Sequence, residues 1–237
     1  MIVAAGGTPS ALAAKAATAA IPIVFGVAVD PVEAGLVTSV NRPEGNLTGV
    51  TNLNVEVGPK RLELLHELVP TASMIGVLVD PTSPTLSEAF LSGLQTAAQS
   101  IGLQLYVLRA STEREIETAF ATLQQRRAGA LIIGPSTLFN ARVEQLAALS
   151  LRHAVPTIYQ YRSFAAAGGL VSYGTDETEY YRLVGSFTGR ILKGEKPAQL
   201  PVAQSTKVEL IINLKTAKAL GIDVPLSLLG RADEVIE

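Results

Sequence analysis

The chain has 237 residues, of which 48% are hydrophobic and 17% charged, with a formal net charge of −2 and no cysteine. This length is sufficient for one large domain or two small ones with a substantial core. The weakly acidic balance argues against a nucleic-acid partner, and the lack of cysteine excludes disulfides, thiolate metal sites and a cysteine nucleophile. The high apolar content is typical of parallel sheets, whose strands are buried on both faces.

The N-terminal segment does not match the pattern of a secretory leader. A leader carries positive charge before its apolar core, whereas here a Gly-Gly-Thr-Pro turn precedes the alanine-rich stretch and Lys15 lies within that stretch. No apolar run approaches the ~20 residues of a membrane-spanning helix. We therefore predict neither a signal peptide nor a transmembrane helix in this sequence.

Apolar periodicity and turn residues predict alternating strands and helices along the chain. The predicted strands are 1–5, 21–25, 47–50, 74–79, 103–108, 130–133, 156–159, 170–173 and 208–212. The predicted helices are 11–20, 58–68, 86–100, one that opens at 111–115, 140–153, 176–193, 215–220 and 226–237. Strands separated by long helices indicate parallel βαβ units in an α/β protein, with helices on both faces of each sheet.

The distribution of these elements predicts two lobes. Residues 74–159 contain successive strand–helix repeats, which are sufficient for one compact lobe, and the pieces on either side are each too small to form a domain. Together the flanking pieces can form a second lobe, so that the chain crosses between lobes more than once. Multiple crossings are typical of hinged binding proteins.

Polar residues follow the predicted strands, at the edge where parallel α/β sheets bind ligands. The segments at this edge are 6–10, 30–31, 80–83, 134–137, 159–162 and 173–176. Thr8 and Ser10 lie at a helix start, where backbone N–H groups favour a carboxylate or phosphate. Asp30 or Asp176 can pair with an ammonium group, and tyrosine rings can stack on a ring or cover a cation.

Each of these signals also has a purely structural explanation. The turn at 6–10 can be a plain strand-to-helix connection, and it lacks the GxGxxG and Walker A patterns of nucleotide loops. Asp-Pro pairs such as 30–31 and 80–81 are common at helix starts. Tyr159, Tyr161 and Tyr173 at strand ends favour a pocket, whereas Tyr180 and Tyr181 lie inside a predicted helix and favour packing.

The residue types of an active site are scarce. Of the two histidines, His66 lies in a predicted helix and His153 at the end of another, and we predict both to be surface or helix-terminal residues. Without cysteine, an HExxH pattern or a GxSxG elbow, few nucleophile–base pairs are available. A carboxylate pair such as Asp30 with Asp176 stays open as an alternative. The sequence favours a protein that is not an enzyme and needs no cofactor or metal.

Six segments in order resemble the bacterial ABC-transporter substrate-binding protein family that includes tryptophan- and tyrosine-type binding proteins. They are IVAAGGTPSALAAKAAT (2–18), IPIVF (21–25), NRPEGNLTGV (41–50), KRLELL (60–65), GRILKGEKP (189–197) and LIINLKTA (210–217). The resemblance covers essentially the whole chain, and its specificity lies in the joint occurrence of these segments.

The resemblance implies a type I periplasmic-binding fold with two α/β lobes, a cleft between them and three crossings. Lobe one is expected to hold residues 1–57 and 175–203, and lobe two residues 58–174 and 204–237. A ligand carboxylate is expected on the turn of Gly7, Thr8 and Ser10, and the ligand's ammonium group near Asp30. The expected positions across the cleft are Ser83, Ser136, Tyr159 and Tyr173, and Asp176 is a further candidate at a strand end.

The function implied is that of the solute-binding component of an ABC importer, located in the periplasm or otherwise outside the cytoplasm. It would bind an aromatic or other amino acid, or a related small carboxylate, by hinge closure and present it to a membrane permease. The alternatives are the ligand-sensing domain of a regulator and a flavodoxin- or Rossmann-like enzyme. Family members have further strand–helix units before the segment that opens this sequence, so we expect an incomplete first lobe, completed by a second copy in a homodimer or left poorly ordered.

Overall fold

The computed structural model describes all 237 residues. The strands are β1 (Ile2–Ala4), β2 (Ile23–Val27), β3 (Leu47–Asn52), β4 (Met74–Val79), β5 (Gln104–Arg109), β6 (Ala130–Ile133), β7 (Thr157–Tyr159), β8 (Val171–Thr175), β9 (Ala203–Ser205), β10 (Val208–Asn213) and β11 (Glu234–Ile236). The helices are α1 (Thr8–Ala17), α2 (Gly58–Leu68), α3 (Pro84–Ser100), α4 (Glu113–Arg126), α5 (Thr137–Asn140), α6 (Val143–Arg152), α7 (Arg162–Ala166), α8 (Glu177–Leu192), α9 (Leu214–Ala219) and α10 (Leu226–Leu229), with a 3₁₀ turn at Pro197–Gln199. No helix is both long enough and apolar enough to span a bilayer.

The chain divides into two units. Unit 1 consists of Met1–Leu53 and Thr175–Lys207, and unit 2 consists of Asn54–Gly174 and Val208–Glu237. Each unit is built on a sheet with parallel strand pairs and flanking helices, so the predicted α/β class with parallel sheets is confirmed.

Unit 1 contains a four-stranded parallel sheet in the order β1-β2-β3-β9. Strands β2 and β3 are buried along their whole length, because helices cover both faces of the sheet. Phe25 of β2 packs with Ala11 of α1 in one apolar cluster, whereas its neighbour Val24 packs with Tyr180 of α8 in another. Tyr180 is therefore a packing residue as predicted, while Tyr181 is 55% exposed.

Unit 2 contains a seven-stranded sheet in the order β11-β10-β8-β7-β6-β4-β5. Successive residues of a strand point to opposite faces, and Val77 and Leu78 of β4 accordingly belong to different apolar clusters. Val77 packs with Leu65 of α2 and Phe90 of α3. Leu78 packs with Phe120 of α4 and other buried side chains on the opposite face. Helices on both faces thus leave the strand ends as the places where polar groups collect.

The chain changes unit after Leu53, after Gly174 and after Lys207, whereas the family resemblance implies crossings after residues 57, 174 and 203. The first crossing is earlier because the backbone carbonyl of Asn54 already accepts a hydrogen bond from Arg61 in unit 2. The third is later because β9, which includes residues after 203, pairs with β3 in unit 1.

The predicted helix at 226–237 is wrong. Helix α10 ends at Leu229, and Glu234–Ile236 forms strand β11, which pairs in parallel with β10. The residue before the strand, Asp233, is bonded to Leu210 of β10 through its backbone N–H at 2.9 Å and through its carboxylate at 2.7 Å. These contacts with a distant strand override the local apolar pattern.

Helix α8 depends on Asp176 at its N-terminus. One carboxylate oxygen of Asp176 accepts from the backbone N–H groups of Thr178 at 2.9 Å and Glu179 at 3.1 Å. The other accepts from the ammonium group of Lys207 at 2.6 Å. The hydrogen bond from Lys207 lowers the pKa of Asp176 below its usual 3.8, and the capping N–H groups act in the same direction.

Gly49 tests the close packing of β2 against β3. A Cβ atom at position 49 would lie 2.2 Å from the carbonyl oxygen of Phe25 and 2.6 Å from its ring. We expect Gly49→Ala to lower the free energy of unfolding by about 2 kcal/mol, because overpacking against backbone forces the strands apart. Gly185→Ala in α8 is the matched control, since a Cβ there meets no atom within 4 Å and should stabilise the helix by about 0.5 kcal/mol. Urea unfolding measures both, and equal stabilities would contradict this packing.

Asp176→Asn tests the ion pair with Lys207. Asparagine caps a helix about as well as aspartate, so the loss near pH 7 should reflect the ion pair and amount to about 1 kcal/mol. Because the folded-state pKa of Asp176 is lowered, its contribution is present above the unfolded pKa and is lost as the pH falls through the folded pKa. The stability gap between wild type and variant should therefore narrow in urea titrations as the pH is lowered from 7 to below the usual pKa of 3.8. A gap that is the same at both pH values would contradict the pairing.

Candidate functional site

The turn after β1 leads directly into α1. Gly7 has φ 98° and ψ 179°, a backbone conformation that favours glycine, and its carbonyl accepts a hydrogen bond from the Ser10 hydroxyl at 2.8 Å. The Thr8 hydroxyl is buried and has no hydrogen-bond partner within the protein. The first N–H groups of a helix lack intrahelical acceptors and attract anions. The start of α1 therefore combines these N–H groups with an unpartnered hydroxyl.

Asp30 follows β2 and organises its own turn. Its side chain is exposed, and one carboxylate oxygen accepts from the backbone N–H groups of Val32 at 2.7 Å and Glu33 at 3.2 Å. Asp176 in the same unit is bonded to Lys207. Each member of the possible carboxylate pair thus has its own hydrogen-bond partners.

In unit 2, Asp80 and Ser136 meet at the ends of the neighbouring strands β4 and β6. The Ser136 hydroxyl donates to Asp80 at 2.6 Å, and each residue is 3% exposed. Asp80 also accepts from the backbone N–H of Thr82 at 2.9 Å, and the Ser136 oxygen accepts from that of Leu138 at 3.1 Å. This pair fixes two loops at the sheet edge. Ser83 lies in the first of these loops, half-buried before α3, and its side chain makes no capping hydrogen bond.

The end of β7 carries a buried polar group of side chains. The Tyr159 hydroxyl donates to the Asn140 side-chain oxygen at 2.5 Å, and the Gln160 amide nitrogen donates to the same oxygen at 2.9 Å. Tyr159 has no exposed surface, and its ring meets those of Tyr161 and Phe164 edge-on. Gln160 is 2% exposed, and its own carbonyl oxygen has no partner within the protein.

Tyr173 lies on β8, half-buried, next to the buried side chain of Arg61. Its backbone carbonyl accepts from Nε of Arg61 at 2.7 Å, and Nη2 of Arg61 donates to the carbonyl of Asn54 at 2.8 Å. The guanidinium carbon lies 5.7 Å from the centroid of the Phe90 ring. Burial lowers the pKa of Arg61 to about 10, which leaves the side chain cationic at neutral pH.

Asn140 and Arg61 are not among the residues predicted from the sequence, and Gln160 is included there only as part of the strand-end segment 159–162. Gln160 directly follows a predicted strand, as the predicted residues do, but no pattern distinguishes it from the tyrosines beside it. The signal for Arg61 is its register in α2, three and seven positions before the buried Leu64 and Leu68. A charged residue at an apolar-face position of a helix indicates a buried charge with specific partners.

The two histidines lie where the sequence predicts. His66 is half-buried in the last turn of α2, and His153 follows the last residue of α6 with its ring 5.9 Å from that of Phe120. No three His, Cys, Asp or Glu side chains are grouped so that they could hold a metal ion.

A family model described as "ABC transporter substrate binding protein" matches residues 1–236. The chain is 31% identical over 214 residues to the tyrosine-binding protein of Clostridioides difficile strain R20291. This alignment covers 90% of this chain and 61% of that protein. The chain therefore spans about three fifths of the length of this relative.

Two solved structures resemble nearly the whole chain. The ABC domain from Streptococcus pneumonia in complex with L-Trp is 26% identical with a TM-score of 0.86, and the match covers 99% of this chain and 80% of that one. A ligand-free, open substrate-binding protein with adhesive properties from Clostridium difficile is 28% identical with a TM-score of 0.65, and the match covers 97% and 76%.

These likenesses confirm the predicted resemblance to the periplasmic-binding-protein fold of type I. The matched family consists of substrate-binding proteins and not of enzymes. Because its model extends over residues 1–236, this chain belongs to the ABC transporter substrate-binding protein family.

Proposed function

We propose that this chain is the solute-binding component of an ABC importer and that its ligand is an aromatic L-amino acid, tyrosine or tryptophan. Two relatives support this ligand class, since one is named a tyrosine-binding protein and another holds L-Trp. Both ligands carry a carboxylate, an ammonium group and a flat aromatic ring. A site for them needs anion donors, a cation acceptor and an aromatic surface.

The single observation that carries the proposal is the geometry at the start of α1. A ligand carboxylate at this position would accept hydrogen bonds from the backbone N–H groups of Thr8 and Ser10, since Pro9 between them has none, and from the unpartnered hydroxyl of Thr8. The first turn contains no acidic side chain that would repel it. Gly7 supports this use, because its positive φ turns the backbone into the helix without a side chain over the N-terminus.

The other predicted site residues divide into two groups. We assign ligand contacts to Asp30, Ser83 and Tyr173, which are exposed or half-buried, with Asp30 as the partner of the ammonium group. The remaining three, Ser136, Tyr159 and Asp176, already bond to Asp80, Asn140 and Lys207 respectively. We propose that these three hold the loops of the site in place.

Ligand binding is proposed to proceed by closure of the two units about the segments that join them. A ligand favours the closed form only to the extent that it binds that form more tightly than the open one. The closed form would then be the one that a membrane permease recognises. This importer role places the protein outside the cytoplasm.

A calorimetric titration with L-tyrosine, L-tryptophan and L-phenylalanine tests the ligand class. We expect micromolar or tighter binding of at least one of them, and a ligand at about 100 times its dissociation constant should stabilise the protein by about 2.7 kcal/mol in thermal unfolding. Tyramine, which has the ring and the ammonium group of tyrosine but no carboxylate, should fail to bind. Tyramine binding as tight as that of L-tyrosine would contradict the role of α1.

Thr8→Val tests the hydroxyl at the start of α1 with little change of shape. We expect about tenfold weaker binding of the preferred amino acid, because the variant loses one hydrogen bond to the charged carboxylate of the ligand. Thr188→Val is the matched control in the same unit, because its hydroxyl donates within α8 to the carbonyl of Val184 at 2.8 Å. The control should bind as the wild type does. Equal affinities of the wild type, Thr8→Val and Thr188→Val would show that the Thr8 hydroxyl does not contact the ligand.

A further inference from the structure

Arg61 is a charged residue with no exposed surface. Its Nη1 group has no hydrogen-bond partner within the protein, and the hydrogen bonds of its Nε and Nη2 groups go to neutral oxygens. These are the carbonyl of Tyr173 at 2.7 Å, the carbonyl of Asn54 at 2.8 Å and the side-chain oxygen of Asn54 at 3.4 Å. Removing a cation from water is costly unless its partners are well placed. A buried cation at this position is therefore favourable only if it bonds to several acceptors at once, as the Arg61 guanidinium does.

The two carbonyls that Arg61 binds lie where the chain changes unit. Asn54 is the first residue of unit 2 after the first crossing, and Tyr173 is next to Gly174, the last residue before the second crossing. The planar guanidinium group of an arginine directs its N–H groups outwards in a fixed fork. Arg61 thus bonds to both crossing segments simultaneously, from a helix that belongs to neither.

Gly174 shows how closely the two crossing segments approach. A Cβ atom at position 174 would lie 2.6 Å from the side-chain oxygen of Asn54 and 2.2 Å from the carbonyl oxygen of Gln160. On the unit 1 side of the same crossings, the backbone N–H of Leu53 donates to the hydroxyl of Thr175 at 3.2 Å. The two segments are therefore tied together on each side of the point where they change unit.

We propose that Arg61 is a positioning residue that holds the first two crossings side by side as one hinge element. Bending then occurs about a paired segment and not about two independent strands. The benefit for ligand binding rests on the proposed function, but the tie itself exists without a ligand. A substitution of Arg61 should therefore loosen the two crossing segments around Asn54 and Tyr173, which are far apart in sequence, and leave the sheet of unit 2 intact.

Hydrogen exchange of the ligand-free protein, followed by mass spectrometry, tests this proposal. In Arg61→Lys, which keeps the charge but loses the fork, we expect about tenfold faster exchange in peptides covering 51–56 and 172–177. Peptides from β4 and β6 should exchange as in the wild type. Arg231→Lys is the matched control, because Arg231 bonds to Glu67 and to the carbonyl of Ser227 at the surface of the same unit and should change neither crossing peptide.

Gly174→Ala provides a second variant that leaves Arg61 in place. Its Cβ atom should push the segments apart and produce the same faster exchange in both crossing peptides. Unchanged exchange at the crossings in Arg61→Lys and Gly174→Ala would overturn the proposal. Faster exchange spread evenly over unit 2 would also overturn it, because that result indicates a general packing role.

A titration with L-tyrosine separates this proposal from the proposed function. We expect Arg61→Lys to bind L-tyrosine about tenfold more weakly than the wild type, since a looser hinge loses more freedom on closure. If Arg61→Lys shows unchanged affinity together with faster exchange, Arg61 holds the crossings together but does not contribute to ligand binding. Wild-type protein that binds none of the three aromatic amino acids would overturn the proposed function, and the exchange experiment would then decide on Arg61 alone.

Discussion

Parallel strand pairing is the constraint on which the other features of both units depend. Strands that run in one direction need a crossover connection to return the chain, which is usually a helix, and the helices bury both faces of each sheet. Many polar side chains therefore collect at the strand ends. The turn at Gly7 and Thr8 follows β1, Asp30 follows β2, and Asp80 and Ser136 follow β4 and β6. Strand direction therefore determines which residues collect at these strand ends.

Hydrogen-bond satisfaction then separates these residues into two kinds. A buried polar atom without a partner costs about 1–3 kcal/mol, and Ser136, Tyr159 and Asp176 avoid this cost by bonding within their own unit. Thr8 and Gln160 each keep a buried oxygen without a partner. The first kind ties loops together through hydrogen bonds, and the second keeps an unused acceptor or donor. Arg61 bonds through Nε and Nη2 to neutral oxygens where the chain changes unit, and its buried Nη1 group has no partner within the protein.

The elements that could be predicted from the sequence are those with a buried face of regular spacing. Helix α2 and strands β4 and β6 begin and end at the predicted residues. The leucine stripe of α2 has helical spacing, and the apolar runs of β4 and β6 have the length of a buried strand and are bounded by turn residues. The segment 226–237 also contains apolar residues, yet Asp233 bonds to Leu210 and its last residues form strand β11. Strand β9 has only three residues, too few for any period, and its pairing with β3 alone defines it.

The sequence by itself determined the α/β class, the family and the segments that follow the strands, because these depend on local periodicity and on the order of motifs along the chain. The tertiary structure decided which side chains in those segments bond to other parts of the protein and which do not. The bonds of Tyr159 to Asn140 and of Asp176 to Lys207 join residues far apart in sequence, and no local pattern predicts them. The position of Arg61 among leucines could be read from the sequence, but its partners Asn54 and Tyr173 come together only when two distant segments pack side by side. Periodicity reports burial, whereas a hydrogen bond requires the distance between two atoms, and only the folded chain sets that distance.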